Sequence, residues 1–165
     1  MLNSDENRKT IIDKFPKLNG DKNFKIVKPP SPDYNCFAWA AQYDNVFWQP
    51  LPLDKRPLIA FDGVSYDWPF GAANDSRLST MISIFSNLGY IVCVDGSLED
   101  GFRKIAFYGT EDEVTHAARQ LVAGKDRGKW TSKLGPWFEI QHGDATTIEG
   151  KEYGPVNEYL KMTFS

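Results

Sequence analysis

Tyr34-Asn35-Cys36-Phe37-Ala38-Trp39-Ala40-Ala41 is the stretch on which the reading of the fold turns. Pro29-Pro30-Ser31-Pro32-Asp33 leads into it in an extended form, because proline disfavours the helical region for the residue before it. The small and aromatic residues that follow predict a buried helix running to about Tyr43. Asp33 or Asn35 can cap it, a short side-chain oxygen accepting from the free amides of the first turn. Either choice leaves Cys36 at the positive end of the helix dipole, where a thiol can become a nucleophilic thiolate. The competing reading is a small buried hydrophobe, the commoner fate of a free cysteine.

The chain has 165 residues, enough for one domain (1–165) with an ordinary core. Hydrophobic residues make up 41% and charged residues 25%, both near the globular average. With a net charge of -3 and a pI near 5.4, it is not expected to bind nucleic acid by bulk electrostatics. Met1-Leu2-Asn3-Ser4-Asp5-Glu6 lacks the apolar segment of a signal peptide, and no run is long enough for a membrane span. Two cysteines without an export signal read as free thiols, and the expected location is the cytoplasm.

Residues 1–30 read as an N-terminal helix, over residues 5–15 and ended by Pro16, and a polar lead-in with a short edge strand near Phe24-Lys25-Ile26-Val27. Residues 44–74 show no sustained period and form an irregular, aromatic insert, either a binding wall or a packed cover. Asn74-Asp75-Ser76 is expected to cap a second helix with Leu78, Met81, Ile82, Ile84, Phe85 and Leu88 on its apolar face and Gly89 beyond its end. Strands follow at Tyr90–Val94, Lys104–Tyr108, Val114–Val122 and Lys129–Gly135, with a further short one near Phe138–Gln141 and a last strand or short helix in the tail. Cys93, inside an apolar run, reads as core. Consecutive strands after helices give an α+β class with a mostly antiparallel sheet.

The chemistry-bearing candidates converge on two strands. His116 is followed on its own face by Ala118 and Gln120, so small neighbours leave the imidazole approachable. A hairpin centred on Gly124 sets His116 opposite Ser132, while a shift of one or two residues brings Thr131, Lys133 or Leu134 there. In the first register Ser132 orients the imidazole, whose other nitrogen pairs with Cys36: nucleophile, base and orienter. His142 could replace Ser132 as orienter, or join Cys36 and His116 around a metal ion, although the spacing matches no zinc pattern. Arg119 and Lys133, flanking the cleft, could select an acidic substrate. Trp48 and Trp68 either line a substrate groove or cover the sheet.

Asn35-Cys36-Phe37-Ala38-Trp39-Ala40 resembles the Ser-Cys-Trp-Ala-Phe-Ser segment of papain-like cysteine peptidases. Thr115-His116-Ala117, followed sixteen residues after the histidine by Ser132-Lys133-Leu134-Gly135, resembles the papain Asp-His-Ala and Asn-Ser-Trp-Gly segments. The order cysteine, histidine, polar residue is also that of the bacterial NlpC/P60 and CHAP members of the superfamily. The phrases Asn-Cys-x-Ala-Trp-Ala, Thr-His-Ala-Ala-Arg-Gln-Leu and Trp-Thr-Ser-Lys-Leu-Gly look like those of a family of small bacterial proteins without an assigned activity. Two departures stand out: Pro30 occupies the place of the oxyanion glutamine, and Ser132 that of the orienting asparagine. Either Asn35, Gln42 or the Cys36 amide then serves the oxyanion, or the machinery is incomplete.

The resemblance implies a papain-like, NlpC/P60-like fold with the Cys-bearing helix packed on the sheet. It also implies a thiol hydrolase or acyltransferase acting on an amide or peptide bond without a cofactor. Cys36 is its nucleophile, His116 its base and Ser132 or His142 its orienter. The alternative is a non-enzymatic module that binds a partner protein through the aromatic insert.

Overall fold

Ten strands and three α-helices account for the regular structure in a computed structural model describing residues 1–164. Seven strands form one antiparallel sheet: β1 (Lys25–Lys28), β5 (Ile91–Cys93), β6 (Phe102–Gly109), β7 (Val114–Gln120), β8 (Trp130–Lys133), β9 (Glu139–His142) and β10 (Val156–Thr163). Their spatial order is β1-β9-β8-β7-β6-β10-β5. The protein is therefore α+β with a dominant antiparallel sheet. The lead-in strand β1 is at one edge, as expected. The tail is a strand, but it runs between β6 and β5, so those two sequential strands never pair. Cys93 is accordingly on an edge strand and half-buried, not in the core.

Each sheet face carries its own apolar cluster because alternate residues of a strand point to opposite sides. On one face, Ile105, Phe107, Ala117 and Leu160 pack against α2 (Cys36–Ala40), α3 (Leu78–Asn87) and the insert. Phe85 of α3 meets Phe107 edge-on at 5.2 Å, the arrangement favoured by the ring quadrupoles. On the other face, Ala106, Tyr108, Ala118, Trp130 and Ile140 pack against α1 (Asp5–Lys14) and short 3-10 turns at Pro16–Gly20 and Ala145–Ile148.

The insert is more regular than its sequence suggests. β2 (Phe47–Trp48), β3 (Leu58–Ile59) and β4 (Ser65–Asp67) make a separate three-stranded sheet in the order β2-β4-β3. Strands this short leave no periodic signature, which explains the mismatch. Two helices also differ from expectation. α2 stops at Ala40, with Gln42 just beyond it in the left-handed region at φ 73°. α3 begins only at Leu78, with Arg77 at its N-cap position, while Asp75 accepts hydrogen bonds from the Arg77 amide and the Thr80 hydroxyl.

Candidate functional site

Asn35 sets the position of the cysteine. Its Oδ1 accepts from the Ala38 amide, capping α2 and placing Cys36 at the first helical residue. The same oxygen accepts from the Trp48 amide at 3.0 Å, and Nδ2 donates to the Trp48 carbonyl at 2.6 Å. With its side chain so committed, Asn35 is a structural clamp between α2 and the insert.

Cys36 is buried, and the backbone amides of Ala117, Phe37 and Cys36 itself lie close enough to favour its thiolate. Burial pushes the thiol up from 9.0 to about 11, and those amides together with the nearby Lys133 ammonium counteract only part of that rise. Ala117 follows His116 in β7, so their side chains leave the sheet on opposite faces.

His116 is fully buried. Its ring stacks on Tyr153 with centroids 4.1 Å apart and planes 6° from parallel, and Tyr108 is its cross-strand partner. Thr115, at a register shift in β7, donates to the Tyr153 carbonyl at 2.6 Å and so fixes the covering segment beside the imidazole. Gly109, at φ 111°, makes this irregularity feasible: a Cβ there would fall 2.4 Å from the Glu113 carbonyl oxygen. Neither ring nitrogen of His116 has a hydrogen-bond partner among the described residues. Burial, with a smaller effect of His142, holds its pKa well below 6.5, so the ring is neutral at pH 7. The His116 ring thus packs with Tyr108 and Tyr153 on the sheet face opposite the Cys36 thiol. No thiol–imidazole hydrogen bond closes between them.

Ser132 serves a different partner. β7 and β8 pair Arg119 with Thr131 and Gln120 with Trp130, a register centred on residue 125 and not on Gly124. The two-residue change keeps Ser132 on the His116 face but brings its Oγ within 2.8 Å of His142 Nε2. His142 Nδ1 lies 2.8 Å from the Asp144 carbonyl, which can only accept, so Nδ1 carries the proton and Nε2 accepts from Ser132. Both side chains are fully buried, and burial lowers the His142 pKa to about 4. His142 orients Ser132; neither orients His116. With His142 so engaged, no group of three or more His, Cys, Asp or Glu side chains suited to a metal ion occurs among the described residues.

The other candidates divide. Trp48 and Trp68 lie in the core, 4% and 1% exposed, and offer no surface to a ligand. Lys133 is an internal strut: Nζ donates to the carbonyls of Ser31 and Gly135 and lies 4.7 Å from the Tyr34 ring centroid. Burial lowers its pKa to about 8. Its cross-strand neighbour Glu139 accepts from the Tyr34 hydroxyl at 2.6 Å. Arg119 stacks over Trp39 at 4.2 Å and opens on its other side into a pocket with Arg103 and Tyr90. Sequence reasoning missed Tyr153 and Arg103: the first sits in a turn, and the second reads as a solvated strand end.

A cysteine at a capped helix start on one face of an antiparallel sheet, and a buried imidazole without hydrogen-bond partners on the other, are the chemistry-bearing features of this α+β domain. The chain belongs to the family described as a domain of unknown function (DUF7689), whose model matches residues 25–161 and so includes every residue of this site. Neither the curated proteins nor the solved structures contain a match. No helix among the described residues is long and apolar enough to cross a membrane.

Proposed function

We propose that the protein is a thiol hydrolase or acyltransferase on a papain-like scaffold, with Cys36 as nucleophile and His116 as base. One observation carries the reading: the fully buried His116 imidazole has both nitrogens unpaired among the described residues and precedes Ala117, which packs in the same cluster as Cys36, although the ring itself packs with Tyr108 and Tyr153 on the opposite face. Leaving a buried polar group unpaired costs ~1–3 kcal/mol, and such groups call for an explanation beyond packing. A neutral imidazole next to a protonated thiol is the starting state for general-base activation. The imidazole takes the S–H proton as sulfur attacks the carbonyl carbon. The C–N bond then breaks, and the amine leaves with that proton. Water or a second nucleophile next releases the acyl group from sulfur. The Cys36 amide is the oxyanion donor, since Asn35 is committed to Trp48.

Incubation with p-nitrophenyl acetate followed by intact-protein and peptide mass spectrometry tests this. Acetylation of Cys36 that is lost in Cys36→Ser and slowed in His116→Ala supports the proposal. Acetyl groups confined to lysines or Cys93 overturn it.

A second reading, a binding module without catalysis, is favoured by the insert. Leu58, Ile59 and Phe61 are exposed on and beside the β3–β4 hairpin, and Phe61 projects fully into solvent. Phe70, also exposed, is held in the left-handed region at φ 59°. Isolated exposed apolar residues are ordinary, but a run on one hairpin suits contact with a partner protein. Unchanged partner capture by Cys36→Ser, with capture lost in Phe61→Ser, supports this second reading.

A further inference from the structure

The Arg119 pocket is independent of the thiol chemistry and does not rest on it. It is a cavity of about 200 Å³ lined by Tyr90, Arg103, Lys104, Arg119, Gln120 and Leu121, among others. Arg103 and Arg119 lie on the same face of β6 and β7: Ile105 is paired with Arg119, and Arg103 is two residues from Ile105. Two guanidinium groups thus meet at one opening. Among the described residues only Arg77 and Arg127 form arginine–carboxylate ion pairs, and neither pocket arginine has one there.

What the two arginines do contact is uncharged. Arg119 Nη1 donates to the Trp39 carbonyl at 3.3 Å, and Arg103 lies over the Phe164 ring. Arg103 Nε and Gln120 Oε1 are buried without any partner. Lys104, by contrast, is already bound to Asp95 and Glu99. Burial, and less so Arg103, act against the Arg119 charge while Tyr90 and Glu139 favour it, and the Tyr90 phenol feels both guanidiniums. The Gln42 side chain lies near the Tyr90 phenol and favours its ionised form. Gln42 reaches it from the left-handed residue just past α2, a conformation that costs of order 1 kcal/mol and that clusters at functional sites.

We propose that this pocket binds the carboxylate of a small organic acid, held by the forks of Arg103 and Arg119 and by the Tyr90 hydroxyl. Paired guanidinium forks match a planar carboxylate bidentately. The eight lining residues come from strands, a strand flank and the start of the loop after β7, so the pocket lacks the helix N-terminus typical of phosphate sites. Leu121 gives the acid an apolar contact.

The test is titration of the intact protein with benzoate, succinate and inorganic phosphate, read by the Nε–Hε NMR signals of the arginines. Saturable shifts of the Arg103 and Arg119 signals with benzoate or succinate are expected. Arg103→Gln should weaken that binding at least ~10-fold, the worth of one hydrogen bond to a charged group. Tyr90→Phe, which keeps the ring in the core, should weaken it severalfold, and Arg77→Gln should leave it unchanged. Three outcomes overturn the proposal: shifts that never saturate, phosphate binding tighter than both acids, or equal weakening by Arg77→Gln.

Discussion

Ser132 and His142 form a closed pair 2.8 Å apart on the face of the sheet where both are fully buried. The pair is a polar staple between β8 and β9, with the Asp144 carbonyl fixing the histidine tautomer. Ser132→Ala leaves Nε2 of His142 buried without a donor. The expected loss is ~1–3 kcal/mol of stability in urea unfolding, with Cys36 reactivity unchanged. An unfolding midpoint equal to that of the parent protein contradicts the staple.

Acid should act through the same histidine. The folded pKa of His142 is about 4, below its ordinary 6.5, so the folded state binds fewer protons than the unfolded chain between these values. The stability it confers is complete above pH 6.5 and is lost as pH falls toward 4. At ~1.4 kcal/mol per unit the loss is on the order of 3 kcal/mol. His116, also held low by burial, adds in the same direction. Urea midpoints measured from pH 7 to pH 4 should fall steeply, and His142→Gln should flatten that fall. A parallel fall in the variant contradicts the assignment.

Asn35 links the cysteine helix to the insert through one cap bond and two bonds to Trp48. Asn35→Ala removes all three and leaves the buried Trp48 amide and carbonyl unpaired. About 2–4 kcal/mol of destabilisation is expected, the sum of a lost cap and unsatisfied backbone groups. Hydrogen exchange should report faster opening at both Ala38 and Trp48. Loss of protection at Ala38 alone contradicts the clamp.

Tyr153 covers His116 from a turn that packs against Phe15, the residue that caps the end of α1. Tyr153→Ala removes that cover and should speed alkylation of Cys36 in the folded protein, measured by peptide mass spectrometry against Cys93. An unchanged Cys36 rate means that access to the thiol runs by another route.

The sequence made α1, the apolar face of α3, the strand order along the chain and the cap at Asn35 legible, because each depends on local spacing or a single capping residue. The place of β10 was not legible: insertion of a terminal strand between two others is decided by sheet closure, not by any local pattern. For the site, Cys36 and His116 were readable as residue types at element starts. The partner of Ser132 was not, since a two-residue change of hairpin register retains the face and alters only the neighbour. Trp48 and Trp68 read equally well as groove or core from composition, and tertiary packing alone settles them as core.

The pH profile of Cys36 alkylation by chloroacetamide, with His116→Ala beside the parent protein, tests the thiol–imidazole pair most directly. If neutral His116 takes the thiol proton during attack, the parent rate is flat from about pH 7 to pH 9, above the imidazole pKa and below that of the thiol. In His116→Ala the rate then becomes slower and climbs about tenfold per pH unit toward the thiol pKa of about 11. A parent profile that already climbs in that manner, and is indifferent to His116→Ala, contradicts the pair and leaves Cys36 a buried structural thiol.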